Sequence, residues 1–253
     1  MVIPAYREGQ RLPHYLRALT KALSEAHLAC DVLVVDDGSG PEEVESLRRL
    51  FAEVSPGYPG LIPPLFLEKN RGKGGAVRAG FDRGHSHDWL GFVDADGSIP
   101  PAEVCRLLGM VAGGANKERA LFASRVKMLG RRVERSAVRH LCGRLFAFLV
   151  GLKIALDIYD SQCGFKLIPR KAYFRIAPWL EENGFCFDVE LLAALLAVKV
   201  TVEEVPIDWI DCPGSKVSLL RDSWRMIHGI IRIKNRSNAW TSSNANNSLP
   251  AKL

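Results

Sequence analysis

The sequence predicts one α/β domain on an open, mostly parallel sheet flanked by helices. Two observations predict it. Short apolar runs alternate with stretches whose apolar residues recur at helical spacing, and a polar cluster follows nearly every run.

The elements follow in chain order. Val2–Ile3 is the first strand signal, and Leu12, Leu16, Leu19 and Leu23 form the helical stripe after Pro4. Val32–Val35 comes next; Pro41-Glu42-Glu43 then starts a helix carrying Val44, Leu47, Leu50 and Phe51. Leu65–Leu67 leads through Gly72–Gly75 to a helix with Ala76 and Phe81. Leu90–Val93 leads through Pro100-Pro101 to Val104, Leu107, Leu108 and Val111, and Leu121–Ala123 is the fifth strand signal. Runs this short, without polar alternation, suit strands buried on both faces. The first strand starts so abruptly at Met1 that a residue or two is expected upstream. The domain is expected to occupy residues 1–236. Residues 237–253, polar and rich in Asn and Ser, read as a flexible tail.

Composition narrows the function. The chain is 47% hydrophobic and 25% charged, which fits an ordinary globular domain and argues against disorder outside the ends. Six dispersed cysteines without a C-x-x-C pair suggest neither a zinc site nor a disulfide framework, and read as reduced thiols in a cytoplasmic protein. No secretory signal pattern is visible. The longest clean apolar run, Leu145–Leu152, has eight residues, whereas a spanning helix needs ~20. The net charge of +6 is concentrated in two blocks. One holds Lys117, Arg119, Arg125, Lys127, Arg131, Arg132, Arg135, Arg139 and Arg144, opposed only by Glu118 and Glu134. The other runs from Lys216 to Arg236. Such blocks imply an anionic partner.

In an open parallel sheet, ligands bind beyond the carboxyl ends of the strands. Four clusters fall there: Tyr6-Arg7-Glu8, Asp36-Asp37-Gly38-Ser39, Lys69-Asn70-Arg71-Gly72-Lys73 and Asp94-Ala95-Asp96-Gly97. Asp94 and Asp96 can share a hard divalent cation, Mg²⁺ or Mn²⁺, that also binds a diphosphate. Asp36 or Asp37 can accept hydrogen bonds from a base or ribose, and Asp-Gly permits the turn. Lys73 can cradle phosphate, although its loop lacks Walker spacing. The chain has neither G-x-G-x-x-G nor G-x-S-x-G, which counts against nicotinamide dehydrogenases and α/β-hydrolases.

Seven ordered segments resemble glycosyltransferase family 2. They are Ile3–Glu8, Val34–Ser39, Asn70–Gly80, Asp94–Gly97, Asp160–Lys166, Phe187–Leu192 and Pro213–Ser218. The last three narrow the likeness to the polyprenyl-phosphate sugar synthases, most of all the dolichyl-phosphate β-glucosyltransferase branch. This resemblance implies a GT-A fold, Rossmann-like and mixed but mostly parallel. It also implies inverting transfer from a nucleotide-sugar donor to a polyprenyl phosphate acceptor. Pro4, Tyr6, Glu8 and Asp36 would hold base and ribose. Asp94 and Asp96 would hold the cation and diphosphate, with Asp96 catalytic and Ala95 and Ser98 lining the same loop. Arg125 and Arg139 would grip the acceptor phosphate, and Lys216 would sit on a loop closing over the donor. The mannose synthases usually carry Gln at the position of Ser98 and Arg at that of Ile210. These departures favour UDP-glucose over GDP-mannose, although a GDP-mannose-dependent enzyme remains the alternative.

A lipid monophosphate needs no strong base. If a sugar hydroxyl were the acceptor instead, Asp188 would be the candidate base, or else a first-turn acid suiting the helix dipole. A polymerising synthase would carry Q-x-x-R-W, which is absent, and a nucleotidyltransferase would start with a Gly-rich loop. No nucleic-acid partner is expected, and the sequence sets no oligomeric state. The basic segment bordered by Leu141, Leu145, Phe146, Phe148 and Leu149 predicts peripheral contact with an anionic membrane surface, and residues 224–232 repeat the mixture.

Overall fold

The structure, a computed structural model, describes residues 1–112, 119–126, 128–134, 158–212, 226, 228–237 and 240. Its first half follows the alternation of apolar runs and helical stripes. The elements are β1 (Val2–Ala5), α1 (Leu12–Glu25), β2 (Leu33–Asp36), α2 (Pro41–Val54), β3 (Leu65–Phe66), α3 (Lys73–Phe81), β4 (Trp89–Val93), α4 (Pro101–Val111) and β5 (Arg119–Ser124). The second half adds β6 (Val133–Glu134), β7 (Phe165–Pro169), α5 (Arg170–Ile176), α6 (Phe187–Ala197), β8 (Thr201–Pro206) and β9 (Trp209–Ile210). Residues 228–237 are helical as well.

Seven strands form one sheet in the order β3–β2–β1–β4–β7–β5–β8, and β6 pairs separately with β9. Within the seven, β7 alone runs backwards, antiparallel to β4 and to β5. The other strands therefore deliver their carboxyl ends to one edge, and β7 enters the sheet from that edge. Its first residue, Phe165, pairs with Val93, the last of β4. Asp94 consequently meets Gly164, whose carbonyl accepts its backbone N–H at 2.9 Å.

Both faces of the sheet are covered. The stripes of α1 and α4 bury Leu12, Leu16, Leu19, Leu23, Val104, Leu107 and Val111 on one side. The other side holds α3, α5 and α6. Helix α6 is apolar almost all round, and its first nine residues are buried, as in a helix enclosed by the fold. Gly80 lets α3 lie close to the sheet, because a Cβ there would come within 2.5 Å of Val2 Cγ2.

The described residues at the C-terminal end pack against the domain. Trp240 is buried and stacks on Trp179, with ring centroids 5.7 Å apart and planes within 6°. Trp240, within the stretch expected as a tail, thus packs against the domain, where an indole pair removes apolar surface from water. Ile230 and Ile233 are buried in the core. Of the described residues of 224–232, Ile230 packs into the domain interior, while Ile231 is 45% exposed. The expected lipid-facing residues 141–149 lie outside the described residues. Among the described residues, no helix is long and apolar enough to cross a membrane.

Candidate active site

A cavity of about 1030 Å³ opens where the parallel strands end. The end of β1 and the segment after it contribute Pro4, Tyr6, Glu8 and Arg11; the segment after β2, Asp37; the turn into α3, Asn70, Gly72 and Lys73; and that after β4, Asp94, Ala95 and Asp96. All four polar clusters meet, as parallel topology requires.

The two aspartates after β2 separate. Asp36 is buried, and its carboxylate accepts the Ser39 N–H at 3.1 Å, which shapes the turn. Asp37 lines the cavity and accepts the N–H groups of Arg71 and Gly72, each at 2.7 Å. Burial pushes the Asp37 carboxyl above its ordinary range, although those two N–H groups oppose the shift. Gly72 makes the approach possible at φ 83°, in the left-handed region that suits glycine. The Glu8 carboxylate is gripped by Arg11 through a fork with distances of 2.8 and 2.6 Å. The Arg7 guanidinium stacks 5.1 Å over the Tyr6 ring.

Lys73 lies against Asp94 at 2.9 Å and Asp188 at 3.2 Å. Burial works against its charge, yet Asp188 and Asp94 outweigh this and hold the ammonium above the ordinary lysine value. Asp188 is 1% exposed, and Lys166 donates to its other oxygen at 2.5 Å. Burial pulls its pKa upward, but Lys166 and Lys73 outweigh this and hold the carboxyl below its ordinary range. Asp188, expected as the base only if a sugar hydroxyl were the acceptor, thus has each oxygen against an ammonium group. A buried carboxylate with both oxygens on ammonium groups and a depressed pKa is a poor proton acceptor.

Asp94 shows the opposite balance. Burial raises its pKa, Lys73 opposes the rise, and Asp96 and Asp188 reinforce it. Two carboxylates one residue apart at a strand end suit a hard divalent cation, and Lys73 already pairs with the first of them. Among the described residues, no group of three or more His, Cys, Asp or Glu is placed to hold a metal. A cation held by these two aspartates would need its other ligands from beyond such a cluster. Asp96 is held in place by accepting the Ser98 N–H at 2.9 Å.

Ser98 itself is buried behind this loop, and its carbonyl accepts the Ile210 N–H at 3.0 Å. The two positions that depart from the mannose-synthase pattern are therefore neighbours. Arg125, just past β5, is clamped by Asp160, with Nε and Nη2 each 2.7 Å from a carboxylate oxygen. Much of the described basic block is balanced in the same way: Arg119 pairs with Glu203 and Arg131 with Glu103. Arg139 and Lys216 lie outside the described residues.

One wall carries no sequence motif. Residues 181–186 line the cavity together with Met226, His228, Arg232 and Arg236. Arg232 and Arg236, four apart on one helical face, bind Glu182 at 2.7 and 3.0 Å. Glu190, fully buried, accepts Arg236 Nη2 at 2.6 Å and the Glu182 N–H at 2.8 Å. The i,i+4 arginines were the available signal, but their acidic partners lie some fifty residues away in the chain.

The comparisons agree with this architecture. The glycosyl transferase family 2 profile matches residues 1–173. A dolichyl-phosphate beta-glucosyltransferase of Saccharomyces cerevisiae is 31% identical over 245 residues, covering 92% of this chain and 73% of its own length. The Homo sapiens enzyme of the same description is 31% identical, over 86% of this chain and 68% of its own. Among solved structures, glucosyl-3-phosphoglycerate synthase from Mycobacterium tuberculosis, crystallised with Mn²⁺, UDP-glucose and phosphoglyceric acid, superposes with a TM-score of 0.66. At 16% identity over 94% of this chain and 78% of that one, this likeness speaks for the GT-A fold. A family profile over most of the chain, joined to relatives similar along nearly all of it, shows that this protein belongs to glycosyl transferase family 2 and is a glycosyltransferase.

Proposed function

We propose that the protein transfers glucose from UDP-glucose to a polyprenyl phosphate, with inversion, using Mg²⁺ or Mn²⁺ at Asp94 and Asp96. The observation that carries the reading is the strand-end cavity, in which Lys73 and two aspartates converge beside Tyr6, Glu8 and Asp37. The printed descriptions of the Saccharomyces and human relatives support the lipid acceptor and the sugar. The Mycobacterium structure with Mn²⁺ and UDP-glucose supports the donor and the ion.

The chain's own residues would act mainly by position and charge. The acceptor phosphate is already an anion, so its oxygen attacks the anomeric carbon while the bond to the diphosphate breaks, and no base is required. A cation held by Asp94 and Asp96 would supply charge neutralisation to the leaving diphosphate. Lys73, on the same cavity wall, would meet that diphosphate. Arg125, kept rigid by Asp160, would orient the acceptor phosphate, joined by Arg139, and Lys216 would close over the donor. Tyr6 and Glu8 line the side where base and ribose would lie. The acceptor's lipid chain implies work at an anionic membrane surface on the cytoplasmic side, by peripheral attachment.

The test is a donor panel of UDP-glucose, UDP-GlcNAc and GDP-mannose with undecaprenyl phosphate, with and without EDTA. UDP-glucose is expected to give lipid-linked product only when the cation is present. Asp96→Ala should abolish transfer while its metal-free thermal unfolding matches wild type, and it should lose the stabilisation by UDP plus Mn²⁺. Preference for GDP-mannose, or efficient transfer to a soluble sugar, would overturn the reading. Co-sedimentation with anionic vesicles at low but not high salt is expected for the attachment.

A further inference from the structure

Four ionic side chains run in single file from the sheet interior to the cavity, alternating in sign. Lys166 on β7 is completely buried and donates to Asp188 at 2.5 Å and to the Cys163 carbonyl at 2.7 Å. The other oxygen of Asp188 lies 3.2 Å from Lys73, and Lys73 lies 2.9 Å from Asp94. Side-chain exposure rises along the row, through 0%, 1%, 13% and 34%. The Phe92 ring lies beside both ammonium groups, 5.0 Å from Lys73 and 5.2 Å from Lys166, and Phe122 flanks Lys166 at 5.0 Å.

A lysine in the middle of a central strand is a poor device for stability. Desolvating it and its partner costs much of what their attraction returns, and apolar replacements of a buried ion pair are often neutral or stabilising. The outer end of the row reaches the cavity at Lys73 and Asp94. Lys73 is a long, flexible cation placed between two carboxylates. Without Lys166, Asp188 would have Lys73 as its counter-charge, and the ammonium would be drawn inward. With Lys166 in place, Asp188 is already balanced and Lys73 stays at the wall.

We propose that Lys166 and Asp188 are positioning residues for donor binding, which hold the Lys73 ammonium at the cavity wall beside Asp94, where it meets the donor's diphosphate. The proposal rests on the nucleotide-sugar reading above. Neither residue touches the donor; both act through Lys73.

The test uses calorimetric titration of the full chain with uridine and with UDP, each in the presence of Mn²⁺. The variant Lys166→Met/Asp188→Asn removes the anchor as a neutral pair, so that Lys73 is not drawn inward but loses one of its two carboxylate partners and is tethered by Asp94 alone. It is expected to lose roughly tenfold in UDP affinity, the scale of one hydrogen bond to a charged group, with uridine affinity unchanged. In a Lys73→Met background the same two substitutions should add no further loss, because residues acting through one group are not additive. Lys166→Gln, which keeps a donor to Asp188 but drops the charge, gives a milder variant ordered the same way should the double variant fail to fold. Unchanged UDP affinity, equal weakening of uridine and UDP, or additive losses with Lys73→Met would each overturn the proposal. A wild-type chain that binds no UDP would instead bring down the nucleotide-sugar reading itself.

Discussion

Replacing Glu190 with alanine tests whether the motif-free wall of the cavity is held by one buried carboxylate. Glu190 accepts the Glu181 N–H at 3.0 Å from each oxygen, the Glu182 N–H at 2.8 Å and Arg236 Nη2 at 2.6 Å. Truncation leaves two backbone donors without that acceptor. An unsatisfied buried donor costs about 1–3 kcal/mol, and the lower value suits Glu181, whose N–H is only partly buried. Arg236, 21% exposed, keeps Glu181 and Glu182 as partners, so its loss is smaller than for an isolated buried pair. Together these give about 3–5 kcal/mol, a large share of the 5–15 kcal/mol that holds a typical domain. Equilibrium urea unfolding at neutral pH reads this directly. At a slope of about 2–3 kcal/mol per molar, the midpoint should fall by roughly 1–2 M with little change in slope. UDP affinity should weaken too, because Glu181 and Glu182 line the cavity. An unchanged midpoint would refute the account of the wall, and a fallen midpoint with native UDP affinity would refute its link to the site.

Two further outcomes are expected. Gly164→Ala places a Cβ against the Asp94 carboxylate, so transfer should fall by about tenfold or more, equivalent to ~1.4 kcal/mol of misplacement, while circular dichroism stays native; full activity would show that Asp94 can shift freely. Asp188, held below its ordinary carboxylate range, contributes stability that is present above that range and lost as pH falls below it toward the depressed folded value; the stability of wild type relative to Lys166→Met/Asp188→Asn should therefore fall in urea titrations from pH 6 to 3, and a relative stability that rises would contradict the sign of the shift.

The legible half of the fold is the half in which each element satisfies itself locally. β1, β2 and β4 are continuous apolar runs, and α1 and α4 carry complete stripes, so period and composition suffice. β7 and β8 escape this reading for a definite reason. Lys166 interrupts the apolar run of β7, and the charge that makes it look exposed is met by Asp188, 22 residues on. β8 carries Glu203 and Glu204 together. One pairs with Arg119, and the other accepts the N–H groups of Tyr159 and Asp160. Partners so far away in sequence leave no periodic trace, so a strand that depends on them reads as a polar segment.

The site divides along the same line. Its strand-end clusters were legible because parallel topology brings successive carboxyl ends to one edge whatever the side chains are. Which member of a cluster faces the ligand is a finer matter, since neighbouring residues leaving a strand point to opposite sides. Asp36 accordingly shapes a turn while Asp37 lines the cavity. Asp188 is the sharpest case. By sequence it serves equally as a first-turn acid or as a base, and the fold sets two lysines from different elements against it. They engage both of its oxygens, and its side chain is 1% exposed. That leaves Asp188 unsuited to deprotonating a sugar hydroxyl, and attack by a phosphate acceptor, an anion before it arrives, needs no such base.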